Sequence, residues 1–196
     1  MSDNSAEAEL LRRAGQGDEP AYLELYERHR GAVFRFAYRL LGSSQLAEEI
    51  THDCFLALIR RPHGYQPERA SLRTYLCAAA RNLSFKQLRR RGTELIVEDV
   101  PEPEVASGAP EPLRRLLDEE VAEEVRRAVE GLPPLQREAL ILFEYEDLSL
   151  AEVARIVEAD VGTVKSRLHR ARERLRRTLA PWMAERSGSV PRETMS

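Results

Sequence analysis

An acidic segment containing several prolines divides this chain into two parts. Residues 93–112 include six carboxylates, four prolines and one glycine, and they include no lysine or arginine. Such a composition offers too little apolar surface for a core, and repeated prolines interrupt helices and sheets. We therefore predict a flexible acidic linker over 92–112, with a folded domain on each side over 8–91 and 113–180, and a tail over 181–196.

The length and composition of the chain agree with two small domains. Its 196 residues are 42% hydrophobic, which is enough for two modest cores. The sequence has no run of about eighteen apolar residues, and it begins with polar and acidic residues, so we expect neither a membrane span nor a signal peptide. We expect a cytoplasmic protein in which Cys54 and Cys77 stay reduced.

The spacing of apolar residues predicts an all-α fold in the N-terminal domain. Asp18 can cap a helix over 21–41, and Gly42 can end it. The apolar stripe of a second helix is formed by Leu46, Ile50, Cys54, Ala57 and Leu58. Ser71 can cap a third helix, after a loop over 61–70. The predicted buried face of that helix comprises Leu72, Tyr75, Leu76, Ala79 and Leu83.

The C-terminal domain carries the pattern of a helix-turn-helix. Helices are predicted over 113–130 and 135–145, with a Gly-Leu-Pro-Pro break between them. Ser149 and Glu152 then form a capping box that opens a short helix. A tight turn and a longer basic helix from Val161 follow, which is the order of elements in a helix-turn-helix.

The turn between these two helices has an unusual composition. Glu158, Ala159 and Asp160 form this turn, so it contains two acidic residues and no glycine. A residue other than glycine is costly in a left-handed turn. Asp160 can compensate as the N-cap of the last helix.

Basic residues are concentrated in two segments, although the net charge is −3. Residues 81–91 contain five basic side chains and no acid, and residues 161–177 contain seven basic side chains and one acid. Along the last helix, Val161, Val164, Leu168, Ala171 and Leu175 form one apolar stripe. Thr163, Ser166 and Arg170 are predicted to point most directly away from it. Arginine, serine and threonine on such a helix suit base edges in a major groove, whereas a solvated basic face is the simpler alternative.

Several runs of the sequence closely resemble extracytoplasmic-function sigma factors. The runs that resemble region 4 of that family are 132–139, 148–154 and 161–172, and those that resemble region 2 are 47–56, 67–69 and 76–91. The resemblance extends over roughly 8–180, and the presence of a linker alone between the two regions is typical of this minimal group of sigma factors.

The resemblance implies a transcription initiation factor without catalytic activity or cofactor. Its implied partners are core RNA polymerase, promoter DNA and an anti-sigma factor, with no insertion into a membrane. Region 4 would read the minus-thirty-five element. The residues implied there are Thr163, Lys165, Ser166, Arg167, His169, Arg170, Arg172 and Arg174.

Region 2 would bind the polymerase and the melted minus-ten strand. The implied polymerase contacts are Glu48, Glu49, His52 and Asp53. The implied minus-ten contacts are Tyr65, Arg73, Arg81, Asn82, Lys86 and Arg89. Asn82 is the candidate for a base pocket, Tyr65 can equally stack on a base or pack against its own domain, and Phe55 is expected in the core.

Two alternative functions use other features of the sequence. A stand-alone helix-turn-helix regulator would share the last helix, but the resemblance to region 2 argues against it. An enzyme or metal site would have to use His52, Asp53, Cys54, His63 and Cys77. Because the chain has no CxxC pair, HExxH motif or glycine-rich phosphate loop, we expect neither a metal nor a catalytic role.

Overall fold

The computed structural model describes residues 3–92 and 119–188, and every regular element within them is helical. The N-terminal unit consists of α1 (Asp3–Ala14), α2 (Glu19–Leu41), α3 (Ser44–Arg60), a 3₁₀ turn (Pro62–Gly64) and α4 (Leu72–Arg90). The C-terminal unit consists of α5 (Glu119–Glu130), α6 (Pro134–Leu140), a π-helical turn (Ile141–Tyr145), α7 (Leu150–Val157) and α8 (Val161–Gly188). The predicted all-α class is confirmed. The predicted linker lies outside the described residues except for Gly92, and α8 continues past residue 180 through Pro181.

Polar side chains define where the N-terminal helices begin. Asp18 Oδ1 accepts a hydrogen bond from the Ala21 amide at 3.1 Å, and Ser71 Oγ accepts one from the Thr74 amide at 3.2 Å. Both predicted caps are confirmed. Gly42 ends α2 in the left-handed conformation, with φ of 67°, as a C-terminal glycine commonly does.

Helix α1 was not among the predicted helices. It packs on α2, and a buried pair holds the two helices together, with His29 Nε2 lying 2.7 Å from Glu7 Oε1. Burial raises the pKa of Glu7, but the hydrogen bond and charge of His29 and the charge of Arg28 outweigh it, so this pKa lies below its ordinary value. The carboxylate is thus stabilised inside the interface between the two helices.

The buried faces of α3 and α4 differ in part from the predicted ones. In α3, Ala57 is exposed, while Thr51 is buried and donates its hydroxyl proton to the Ala47 carbonyl at 2.7 Å. In α4, Leu72 and Leu76 are buried as predicted, but Tyr75, Ala79 and Leu83 are half-buried. The fully buried positions instead include Cys77, Ala80, Ser84, Phe85 and Leu88. The predicted face is rotated because α4 packs on α2 and α3 and also on α7 of the other unit.

The helix-turn-helix forms as predicted, including its unusual turn. Ser149 and Glu152 make a complete capping box at the start of α7. Glu158 adopts the left-handed conformation with φ of 54°, and its amide donates to the Ala154 carbonyl. The Asp160 carboxylate accepts hydrogen bonds from the amide and the hydroxyl of Thr163, both at 2.7 Å, so the predicted N-cap is confirmed.

Glu158→Gly is expected to raise the free energy of unfolding by roughly 0.5–1 kcal/mol, because a β-carbon is disfavoured in the left-handed region. Thermal or urea unfolding measures the change. Ala151→Gly, at an exposed position in the same short helix, is the control and is expected to lower the stability by about 1 kcal/mol. Equal destabilisation by both glycines would contradict the role assigned to the turn.

The two units pack against each other. Helix α2 contacts α5, α6 and the π-helical turn, and α4 contacts α7. Buried apolar side chains from both units form one continuous cluster. The Arg137 guanidinium crosses the junction, donating to the Leu40 carbonyl of α2 at 2.8 Å and to the Leu132 and Glu130 carbonyls after and within α5. This closed arrangement was not predicted from the sequence.

None of the helices in the described part of the chain combines the length and apolar character required to cross a bilayer.

Candidate nucleic-acid interface

Helix α8 presents the predicted face to its own domain. Val164, Leu168 and Ala171 are buried, whereas Val161 is 38% exposed and Leu175 is half-buried. The outward side chains are therefore fixed by the packing of the helix-turn-helix. Lys165 and Arg174 are exposed, and Thr163, His169, Arg170 and Arg172 are partly exposed.

Two of the predicted reading residues on α8 are enclosed rather than solvent-facing. Ser166 was predicted to point directly away from the domain, but it is only 7% exposed. Its neighbour Arg167 lies 3.2 Å from a carboxylate oxygen of Glu138 in α6. Burial lowers the pKa of Arg167, the charge of Glu138 opposes this, and the charge of Arg81 in α4 adds to it. The side chains of Ser166 and Arg167 are therefore largely shielded from solvent in this structure.

Helix α4 carries an exposed polar line along its outer side. Asn82, Lys86 and Arg89 are exposed and recur at intervals of four and three residues, which places them on one helical face. Tyr65 is buried, and its ring lies 5.8 Å from that of Tyr75. Of the two alternatives for Tyr65, the structure therefore shows packing against its own domain.

Glu138 lies where the two basic faces meet. It is fully buried, and its Oε2 lies 2.6 Å from Nε of Arg81 in α4, while its Oε1 lies 3.2 Å from Arg167 in α8. Burial raises the pKa of Glu138, and the hydrogen bond and charge of Arg81 act against that effect. One carboxylate thus joins residues from both predicted DNA-binding faces.

Glu146, directly after the π-helical turn, is a second buried carboxylate at this junction. Its Oε1 accepts a hydrogen bond from Arg39 at 3.2 Å, and its Oε2 accepts one from Arg73 at 3.0 Å. Arg35 approaches the same oxygen at 3.8 Å. Arg73, a predicted minus-ten contact, is therefore occupied by the C-terminal unit.

The positions of Glu138 and Glu146 at this junction were not predicted from the sequence. A signal for Glu138 was available, because it immediately precedes the apolar run 139–142, where a charged side chain has to find a partner if it is buried. Glu146 follows the same run after one helical turn, but a π-helical turn is needed to bring its carboxylate inside. The Glu146 amide donates to the Ile141 carbonyl five residues earlier, at 3.0 Å.

Helix α3 presents its predicted polar face to solvent. Glu48, Glu49, His52 and Asp53 are all exposed along it. Phe55 is fully buried, with its ring 4.9 Å from that of Tyr26 in an edge-on contact, so the expectation that it belongs to the core is confirmed.

No group of three or more potential metal ligands comes together among the residues that the structure describes. Cys54 and Cys77 are buried free thiols, whereas His52, Asp53 and His63 are exposed.

Comparison with known proteins decides the family. Residues 25–94 match the family "Sigma-70 region 2", and residues 122–175 match "Sigma-70, region 4". The chain is 34% identical over 177 residues to the ECF RNA polymerase sigma factor SigE of Mycolicibacterium smegmatis, an alignment that covers 89% of this chain and 68% of that one. The chain belongs to the extracytoplasmic-function sigma factors. This sigma factor directs promoter-specific initiation by RNA polymerase, since sigma factors bind the core enzyme and promoter DNA.

Two further similarities support the same family. This sigma factor is 26% identical to SigW of Bacillus subtilis, over 86% of this chain and 94% of SigW. Its fold is similar to that of the sigma factor RpoE of Bartonella quintana, solved in complex with the anti-sigma factor NepR, with a TM-score of 0.59 and 28% identity over 77% of this chain and 91% of that one. No comparison favours a stand-alone regulator.

Proposed function

We propose that α8 reads the minus-thirty-five element of the promoter and that α4 captures the melted minus-ten strand. The observation that carries this proposal is the position of α8 as the second helix of a helix-turn-helix, capped by Asp160 and with Lys165 and Arg174 exposed. A helix in that position enters the major groove with its N-terminal residues nearest the bases. The roles of Thr163, Ser166, Arg167, His169, Arg170 and Arg172 follow from their place on the same helix.

For α4, the exposed line of Asn82, Lys86 and Arg89 supports binding of a single strand. Cationic side chains follow the phosphate backbone, and an amide can hydrogen-bond the edge of an extruded base. The free energy for strand separation then comes from binding unpaired bases, so no catalytic residue is required. Arg73 and Arg81 would join this surface once Glu146 and Glu138 release them.

The exposed polar face of α3 supports docking on core RNA polymerase. Glu48, Glu49, His52 and Asp53 are the proposed contacts. Since its partners are the polymerase and the chromosome, we assign this sigma factor to the cytoplasm and give it no enzymatic activity of its own. We also propose an anti-sigma partner, because the similar RpoE was solved with one.

Run-off transcription with core polymerase, on a promoter library that includes the region upstream of its own gene, tests the proposal. Asn82→Ala and Arg170→Ala are each expected to reduce specific transcripts about tenfold, since one good base contact contributes roughly 1–3 kcal/mol. Arg126→Ala is the control, because Arg126 pairs with Glu123 and Glu130 within α5 and is not among the proposed contacts.

A second template separates the two contacts. On a promoter whose minus-ten strand is already unpaired, Asn82→Ala is expected to keep its binding defect in the holoenzyme. A duplex that carries the minus-thirty-five element alone is expected to respond to Arg170→Ala and not to Asn82→Ala. Duplex binding without any polymerase-dependent transcript would overturn the proposal in favour of a stand-alone regulator.

A further inference from the structure

We propose that Glu138 and Glu146 act as an internal substitute for promoter phosphates, closing the protein on itself by occupying arginines needed for DNA. This inference rests on the proposed function, because that function assigns Arg73, Arg81 and Arg167 to DNA. Because Glu138 and Glu146 bind arginines that are also proposed to bind DNA, the closed form and the DNA-bound form exclude each other.

The geometry around Glu138 provides the first step. Its two oxygens are shared between Arg81 of the N-terminal unit and Arg167 of the C-terminal unit, at 2.6 Å and 3.2 Å. The Arg81 and Arg167 side chains are only 15% and 13% exposed. Neither guanidinium can therefore reach a nucleic acid while Glu138 holds it.

Glu146 repeats this arrangement at a second point. It is fully buried between Arg39 and Arg73, with Arg35 beside them. In each of these pairs the N-terminal unit supplies the guanidinium and the C-terminal unit supplies the carboxylate. A phosphodiester offers guanidinium groups the same kind of anionic oxygen acceptor, so both ligands compete for the same donors.

The energetics favour a closure that can be reversed. A buried ion pair contributes little net stability, because the cost of desolvating both charges offsets most of their attraction. Separating the two units releases Arg81 from Glu138 and the arginines of the N-terminal unit from Glu146, while Glu138 keeps Arg167 as its partner within the C-terminal unit. Polymerase and promoter DNA can therefore displace the internal carboxylates.

Further contacts across the junction add specificity to the closed form. Thr74 donates its hydroxyl proton to Glu152 at 3.2 Å, and Arg155 donates to the Arg69 carbonyl at 2.6 Å. These contacts fix α7 against α4 and the loop before it. The predicted base-pocket residue Asn82 stays exposed. Closure therefore makes Arg73 and Arg81 unavailable to DNA but leaves the rest of the α4 surface accessible.

The test uses the full chain with Glu138→Gln and Glu146→Gln combined. Small-angle X-ray scattering is expected to give a larger radius of gyration than for the wild type. Fluorescence anisotropy with a labelled duplex of the promoter found by run-off transcription is expected to show about tenfold tighter binding without polymerase, because the apparent affinity scales with the fraction of open protein. Glu123→Gln, which removes a carboxylate paired within α5, is the control and should change neither quantity.

A second variant tests whether misfolding of the C-terminal unit explains the changes in scattering and affinity. Arg39→Gln removes a partner of Glu146 from the opposite side of the junction, at a position outside the proposed DNA contacts. It is expected to shift scattering and affinity in the same direction, with an unchanged circular dichroism spectrum. Unchanged scattering and affinity in every folded variant would overturn the inference.

Failure of the proposed function is recognised separately. In that case the wild-type chain gives no transcripts with core polymerase, and the scattering change still reports whether the carboxylates close the protein. If the wild type is active in transcription but the carboxylate variants remain closed, the role given to Glu138 and Glu146 is rejected and the proposed function is not.

Discussion

Arg137→Met is expected to lower the free energy of unfolding by about 3 kcal/mol, because a buried acceptor left without its donor costs roughly 1–3 kcal/mol. The Arg137 guanidinium donates to the carbonyls of Leu40, Leu132 and Glu130. It thereby joins the end of α2 to the end of α5 and to the start of α6. Methionine keeps the volume of the side chain but offers none of these hydrogen bonds.

Urea unfolding followed by circular dichroism measures the effect. Arg127→Met is the matched control, since its side chain is 64% exposed and pairs only with neighbours in α5 in the contacts described. A change of less than about 0.5 kcal/mol is expected there. Similar decreases in the free energy of unfolding for the two variants would show that Arg137 contributes through its charge and not through its buried hydrogen bonds.

The cysteines are expected to react about a thousandfold more slowly in the folded protein than in the unfolded chain. Burial raises the pKa of Cys54 and Cys77 from an ordinary 9 to about 12, with a smaller contribution from nearby charges. Since the thiolate is the reactive form, its fraction at neutral pH falls about a thousandfold.

Reaction with an aromatic disulfide reagent, with and without denaturant, measures this difference. The thiols of the native protein are expected to titrate only after unfolding, whereas a rapid native reaction of one equivalent would contradict the burial of that residue. Cys54→Ser and Cys77→Ser, each tested alone, identify which thiol reacts.

The sequence was sufficient for features that depend on neighbouring residues. Asp18, Ser71, Ser149 and Asp160 were predicted as caps, and each accepts the expected hydrogen bond, because capping involves an amide only three residues further along. The left-handed turn at Glu158 belongs to the same class. The family was recognisable because the residues of the helix-turn-helix also lie close together in the chain.

Features that depend on distant partners were not predictable in this way. The predicted buried face of α4 was rotated because α7 covers a side of it that no local pattern reveals. Helical periodicity predicted that Ser166 faces solvent, whereas it is only 7% exposed. The closed arrangement depends on pairing between units that the predicted linker separates in the sequence. The DNA and polymerase contacts stay predictions.

Closure also has a consequence for how the protein is made. Arg39 and Glu146 are 107 residues apart, and Arg81 and Glu138 are 57 apart, whereas His29 and Glu7 within the first unit are only 22 apart. Because synthesis proceeds from the N-terminus and domains fold in that order, the first unit leaves the ribosome before its carboxylate partners exist. During that interval Arg39, Arg73 and Arg81 lack the carboxylates that hold them in the complete protein.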